Sequence, residues 1–375
     1  MKDVARAFRQ EQRMRQRFRD RYPDIEDDVS ITSLTGLRLG RGVQLRKDAE
    51  IFLLPPGEGG AEQSTITLGN RVRVGRRVQL GSFPNTTMIV GDDTSFQAGC
   101  VIIGDVAIGS NCLFSLHVFI SSGNHFSELR PDWLIRDQDR LALENPDVAA
   151  DRSAPVTIED DCWLGWGTIV KRGVYVGKGA VIGSYSIVTK DVPPYSVQAG
   201  GPSRELRKRL EFKPPSTVCA SNEHDHPYFY SGFLLRKSDL VRAPEKAAVR
   251  LQGSRGRIVL AGGSCTQISI VGSLEGSVRA IRCALKWNRM EIHSAIISDR
   301  DFELKAEIPL GAQSESARKA LPGPLREFNE LTIEVDEVRH SPATGAIDAS
   351  ASRPVGAIDS SSYIRIHRCS CLGND

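Results

Sequence analysis

The sequence predicts a mainly β protein: a parallel β-helix, a short helix ahead of it and a β-sandwich behind it. Three observations carry this. Apolar residues recur every sixth position, at Val90, Phe96, Ile102, Ile108, Phe114 and Ile120, and again at Ile158, Leu164, Val170, Val176, Ile182 and Val188. A small or β-branched residue stands four places after nearly every one of them: Thr94, Cys100, Val106, Cys112, Val118, then Cys162, Thr168, Val174, Ala180 and Ser186. Beyond about Pro214 the beat is lost and short alternating runs replace it. Neither the 3.6-residue helical period nor the two-residue strand period explains a step of six, whereas a solenoid with one short strand and one turn per repeat does.

Each large aliphatic side chain is expected to enter the prism and stack on its counterpart one coil away, at roughly the ~4.8 Å strand spacing. The small residue also points inward, near a corner where volume is short. Gly91, Gly109, Gly165, Gly177 and Gly183 follow large positions, where tight turns with unusual dihedrals are expected. A weaker set, Leu39, Leu45, Ile51, Leu68, Val74 and Leu80, extends the coil toward the N-terminus across the Pro/Gly stretch 55–60. Breaks in phase mark excursions, one around Phe83 and Pro84 and a larger one after His125.

The organisation that follows is a helical cap over residues 1–29, a β-helix over 30–210 with an inserted loop at 126–157, a linker over 211–227 and a sandwich over 228–375. The first 22 residues alternate charge, with Val4, Phe8, Phe18 and Tyr22 at helical spacing. Pro193 and Pro194 end strand pairing, because proline cannot donate to a ladder, and a short basic helix is expected over 203–210. Within the last part, strands are expected at 257–260, 267–271, 278–285, 291–297, 302–308, 330–335 and 363–367.

The formal charge of +3 gives no general argument for nucleic acid, and no partner of that kind is expected. No run of eighteen apolar residues exists, so a cytoplasmic protein is the expectation. Of eight cysteines, Cys100, Cys112 and Cys162 fall at the small inward position and read as reduced core residues. Cys369 and Cys371 beside His367 lack the paired spacing of a zinc site, and no metal is expected.

Residues 158–209, with their "CWLG", "VTKDVPPYSV" and "GGPSR" segments, resemble the C-terminal coils of hexapeptide-repeat acyltransferases. The closest likeness is to the galactoside, maltose, xenobiotic and surface-polysaccharide O-acetyltransferases. The resemblance covers about residues 30–210. It implies a left-handed coil, a hand the residues themselves do not give, since the rule for parallel crossovers favours the other. It also implies a homotrimer in which acetyl-CoA and a carbohydrate acceptor meet between neighbouring prisms, and peripheral association with membrane-bound glycan assembly machinery.

His125, in "SSGNHFSEL" where the long excursion begins, resembles the family's general base. Imidazole, with an ordinary pKa near ~6.5, is suited to take a hydroxyl proton. His117, at a turn, is the rival. A zinc hydratase on the same coil needs three histidines, and the repeats hold only these two. The resemblance assigns Gly165 and Ser184 to turns whose amides contact the pantetheine arm, and Trp163 to the acceptor cleft or else to a trimer contact. Lys190, Arg204 and Arg207 fall to the nucleotide phosphates or else to a solvated basic tail. Trp166 and Tyr185 replace residues that are usually small in the family, and either stack on the ligand or narrow its channel. The loop around Trp133 is expected to reach a neighbouring subunit and shape the acceptor pocket.

The segment "SPATGAIDASASRPVGAIDSSSYIRI" more loosely resembles the end of a β-sandwich module on surface-polysaccharide enzymes, with Trp287 and Tyr363 either stacking on sugar or packing a core. The activity implied is acetyl-CoA-dependent O-acetylation of a sugar hydroxyl in surface polysaccharide synthesis or modification. Amino-sugar N-acetylation, xenobiotic acetylation and a non-catalytic trimeric scaffold stand beside it.

Overall fold

The computed structural model describes residues 21–22, 24–54, 64–145, 148, 153–234, 248–275, 280–337 and 364–372. Residues 1–20 of the expected N-terminal helix over 1–22, and the "SPATGAIDAS" segment with Tyr363, lie outside them. The chain divides into two compact units, Met1–Arg209 and Leu210–Asp375.

The first unit is a three-sided parallel β-helix. Face I stacks seven strands, from Ser30–Ile31 to Ile187–Val188. Face II stacks six, from Leu37–Leu39 to Tyr175–Val176. Face III runs from Gln44–Leu45 through Val181–Ile182 to Ser196–Ala199, and ends on an antiparallel strand, Arg204–Lys208.

The register shows why the six-residue beat worked. Leu80, Ile102, Ile120, Val170 and Val188 are successive partners on face I, and Val90, Ile108, Ile158 and Val176 on face II. On face III Phe96 meets Phe114, their ring centroids 4.7 Å apart. The large rungs and the small corner residues are all buried. The excursion after Ser121 therefore closes without a phase slip. One residue of slip would turn every rung to solvent.

The corners supply a correction. Positive φ falls not on the expected glycines but two residues after each of them, at Asp93, Asn111, Gly167, Gly179 and Tyr185. Gly165 is needed for close approach instead: a Cβ there would lie 2.6 Å from the Ser184 amide nitrogen of the next coil.

Two further expectations change. Residues 203–210 form no helix. Arg204–Lys208 pairs antiparallel with Ser196–Ala199, where it satisfies the edge backbone groups that close the solenoid. The expected linker over 211–227 contains the strand Thr217–Cys219, which pairs with Ile364–Leu372, and a 3₁₀ turn at Glu223–Tyr228.

The second unit has two antiparallel sheets around its own core. The seven expected strands are found within a few residues, as Arg255–Leu260, Gln267–Leu274, Ile281–Trp287, Met290–Ile297, Asp301–Glu307, Asn329–Glu337 and Ile364–Leu372. Trp287 is fully buried in that core, which removes it as a sugar-stacking residue. Cys371 is bonded to Cys265 and Cys369 is buried, so neither is available to a metal.

Candidate active site

The insertion after Ser121 is tied at its neck. Gly123 bridges Ser153, the hydroxyls of Ser122 and Ser153 lie 2.9 Å apart, and Ala154 N–H donates to the Ser122 carbonyl at 2.9 Å. Asp105 N–H donates to Ser122 Oγ at 2.8 Å, fixing the neck to the coil below. Burial pushes the Asp105 carboxyl up from its ordinary range.

Beyond the neck the insertion folds into a helix, Ile135–Leu143. Its buried Gln138 holds the loop to itself, accepting from Arg130 N–H at 3.0 Å and donating to the Trp133 carbonyl at 3.2 Å. The Arg130 guanidinium covers the Trp133 ring at 4.8 Å and, by hydrogen bonding, holds the Asp132 carboxyl below its usual range.

One turn of helix beyond Ile135 stands Asp139, largely buried. Its Oδ2 lies 2.5 Å from His125 Nδ1, and its Oδ1 accepts from Phe126 N–H at 2.8 Å. The carboxylate thus grips both the imidazole and the chain beside it. A proton on Nδ1 leaves the Nε2 lone pair outward, on a side chain that is 73% exposed. Sequence reading found His125 and missed Asp139. Its signal, a carboxylate fourteen residues on, acquires meaning only when the loop is seen to fold back as a helix.

Gly165, Trp166, Ser184 and Tyr185 lie together on the corner between faces III and I. The Gly165 N–H is committed to Ile182 O at 2.8 Å, and the Tyr185 N–H to Trp166 O. The N–H groups of Trp166 and Ser184 enter no described hydrogen bond, so those are the turn amides open to a ligand. His117, Trp166 and Tyr185 form a column of rings on this corner, with centroids 6.4 and 5.7 Å apart. Trp163 stands half-exposed on face III and donates to Ser115 Oγ at 3.2 Å.

His125 leaves from the other edge of face I, so one prism does not bring it to Gly165 and Ser184. Lys190 follows Val188 on that same far edge, whereas Arg204 and Arg207 project from the strand that closes face III. The three basic candidates are not gathered by one chain. Among the described residues no group of three His, Cys, Asp or Glu could hold a metal ion. No described helix is long and apolar enough to cross a membrane.

No family model matches the chain. It is 35% identical over 114 residues to a chloramphenicol acetyltransferase of Morganella morganii, covering 29% of this chain and 53% of that protein. To the galactoside O-acetyltransferase of Escherichia coli strain K12 it is 28% identical over 175 residues, covering 46% of this chain and 66% of the relative. A solved maltose O-acetyltransferase from Clostridium difficile 630 superposes with a TM-score of 0.30 at 25% identity, covering 38% of this chain and 69% of that one. The chain thus spans about half the length of the first of these curated relatives. The matches fall on the repeat unit, which is similar over those residues to hexapeptide-repeat acetyltransferases.

Proposed function

We propose that the chain is an acetyl-CoA-dependent O-acetyltransferase acting on a sugar hydroxyl, in the synthesis or modification of a surface polysaccharide, with His125 as general base. The observation that carries this reading is the His125–Asp139 pair at the mouth of the insertion. An exposed imidazole anchored through one nitrogen by a largely buried carboxylate is arranged to move a proton with the other.

In the reaction, His125 Nε2 takes the acceptor O–H proton as the oxygen attacks the thioester carbonyl. A C–O bond forms, the tetrahedral intermediate collapses, the C–S bond breaks, and the imidazolium returns the proton to the departing thiolate. Asp139 keeps the ring oriented through Nδ1. The free amides of Trp166 and Ser184 suit the amide-bearing arm of the donor.

Because His125 and that corner occupy opposite edges of face I, a neighbouring copy completes the site, in keeping with a trimer. Lys190, Arg204 and Arg207 are then distributed over the assembly around the donor's phosphates. The cytoplasm, where acetyl-CoA is made available, is the compartment this reading requires.

Thiol release from acetyl-CoA with a panel of sugar and amino-sugar acceptors tests the reading. His125→Ala is expected to abolish transfer while leaving the melting temperature and oligomeric state intact. Transfer undiminished in His125→Ala refutes the base, and transfer confined to amino sugars refutes O-acetylation.

A further inference from the structure

Residues 64–90 contain Arg71, Arg73, Arg76 and Arg77 and not one Asp or Glu. Arg71 is spent on Asp93, with Nε–Oδ1 2.7 Å and NH2–Oδ2 2.5 Å. The guanidinium groups of Arg73, Arg76 and Arg77, and of Arg41 on the coil below, are exposed and have no ion pair among the described residues.

The coil gives these charges fixed places. Arg73 projects from face III, and its partners above and below in the ladder are the neutral Ser95 and Gln44. Arg76 and Arg77 turn the corner between faces III and I. Arg77 is held by its N–H on Lys47 O at 3.1 Å, and the equivalent positions one coil up are Ala98 and Gly99. The coil below adds Lys47, already paired with Asp28, and Asp48, which makes no ion pair with the band. Along face III the column runs Gln44, Arg73, Ser95, Leu113, Trp163. Three coil steps, roughly 14 Å at the ~4.8 Å strand spacing, separate Arg73 from the half-exposed Trp163.

We propose that this arginine band on Arg73, Arg76 and Arg77 binds a carboxylate- or phosphate-bearing polysaccharide, so that the acceptor is an anionic glycan. This rests on the reading of the acceptor as a carbohydrate. A guanidinium fork matches a carboxylate or phosphate edge with two parallel hydrogen bonds, and does so best when its backbone is already rigid. Charges spread across a face and a corner, rather than converging in a cavity, suit repeated anionic groups along an extended chain. The neighbours in the adjoining coils, exposed Lys47 and Asp48 and half-buried Gln44, Ser95, Ala98 and Gly99, carry no ring and no large apolar side chain, and the rings of the same corner begin only at His117, two coils above Arg77.

The test uses the full chain and fluorescently labelled oligosaccharides, read by anisotropy without acetyl-CoA. The probes are an oligouronate, the same oligomer with its carboxyls reduced to alcohols, and a phosphate-bearing oligosaccharide. The proposal expects the charged oligomers to bind about tenfold or more tightly than the reduced one, with whichever charged source binds better naming the chemistry. Arg73→Gln/Arg76→Gln/Arg77→Gln is expected to remove that advantage and flatten the salt dependence, with acetyl-CoA affinity and melting temperature unchanged.

Equal affinity for charged and reduced oligomers overturns it. So does an unaltered advantage in the triple variant, a change of oligomeric state in that variant with oligomer binding intact, or tighter binding to single-stranded DNA or phosphatidylserine vesicles than to any glycan. Since the readout is binding, a chain that transfers no acetyl group still reports on the band, and a failed band leaves the transfer assay to be judged separately.

Discussion

Replacing Asp139 with Asn separates two jobs that one carboxylate performs. The amide keeps an oxygen for Phe126 N–H, which Oδ1 accepts at 2.8 Å, so the link from loop to helix is retained. What is lost is the negative acceptor 2.5 Å from His125 Nδ1. A hydrogen bond to a charged group contributes about 1.5–3 kcal/mol, and each ~1.4 kcal/mol of transition-state stabilisation is a factor of ten in rate. Asp139 is largely buried but His125 is mostly exposed, which places the loss toward the lower end, a fall in kcat of roughly 10- to 50-fold.

The assay is thiol release at saturating acceptor, with kcat and the KM for acetyl-CoA determined separately for Asp139→Asn and Asp139→Ala. The KM for acetyl-CoA is expected to stay unchanged in the Asn variant, because Asp139 acts through His125 Nδ1 and Phe126 N–H and not through the open amides. The Ala variant, which also releases Phe126 N–H, is expected to lose more activity and to melt its loop earlier. A kcat in Asp139→Asn equal to that of the parent would refute the claim that the carboxylate orients the base.

His125→Ala is expected to lower transfer by at least about a hundredfold, the lower range for a general base, with no shift in melting temperature since the side chain is exposed. Gly91→Ala, whose Cβ would lie 2.6 Å from Ser110 N in the next coil, is expected to cost about 1–3 kcal/mol or more, read as a lower denaturant midpoint of the first unit. Burial pushes the Cys100 thiol up to about 11 and the Cys283 thiol up to about 12. The native state then holds these protons when the unfolded chain has released them. Stability is therefore expected to be constant below about pH 8.5 and to fall as pH rises through 9 to 11, a trend that denaturant midpoints across that range will show or refute. Cys219, half-buried, is expected to react with a thiol reagent before the buried Cys100, Cys112 or Cys162, because the reagent reaches it first, as peptide mapping after limited alkylation would reveal.

The rungs were legible because a solenoid repeats one local environment. A residue six places on meets the same interior, so Ile120 and Val170 could be matched across an excursion before any contact was known. The glycines of the beat were placed correctly and explained wrongly. Gly165 is required by the nearness of the coil above, while the left-handed φ belongs to Gly167 and Tyr185. The strand Thr217–Cys219 was read as linker because its partner, Ile364–Leu372, lies some 150 residues away and leaves no trace in local composition. Arg204–Lys208 looked helical because its charges suit any exposed element, and its conformation is set by the open edge it covers.

By itself the amino-acid order determined which side chains face the prism axis, where the coil is interrupted and which histidine stands at the interruption. Those are consequences of short-range periodicity and of turn chemistry. Only the tertiary structure decided that the inserted segment folds back to set Asp139 against His125, and that this histidine and the corner with the open Trp166 and Ser184 amides occupy opposite edges of one face. It also decided that Arg73, Arg76 and Arg77 stand along a rigid coil with no ion pair among the described residues. Each of these depends on groups distant in sequence being brought within a few ångströms, where hydrogen bonding and charge act and sequence spacing does not.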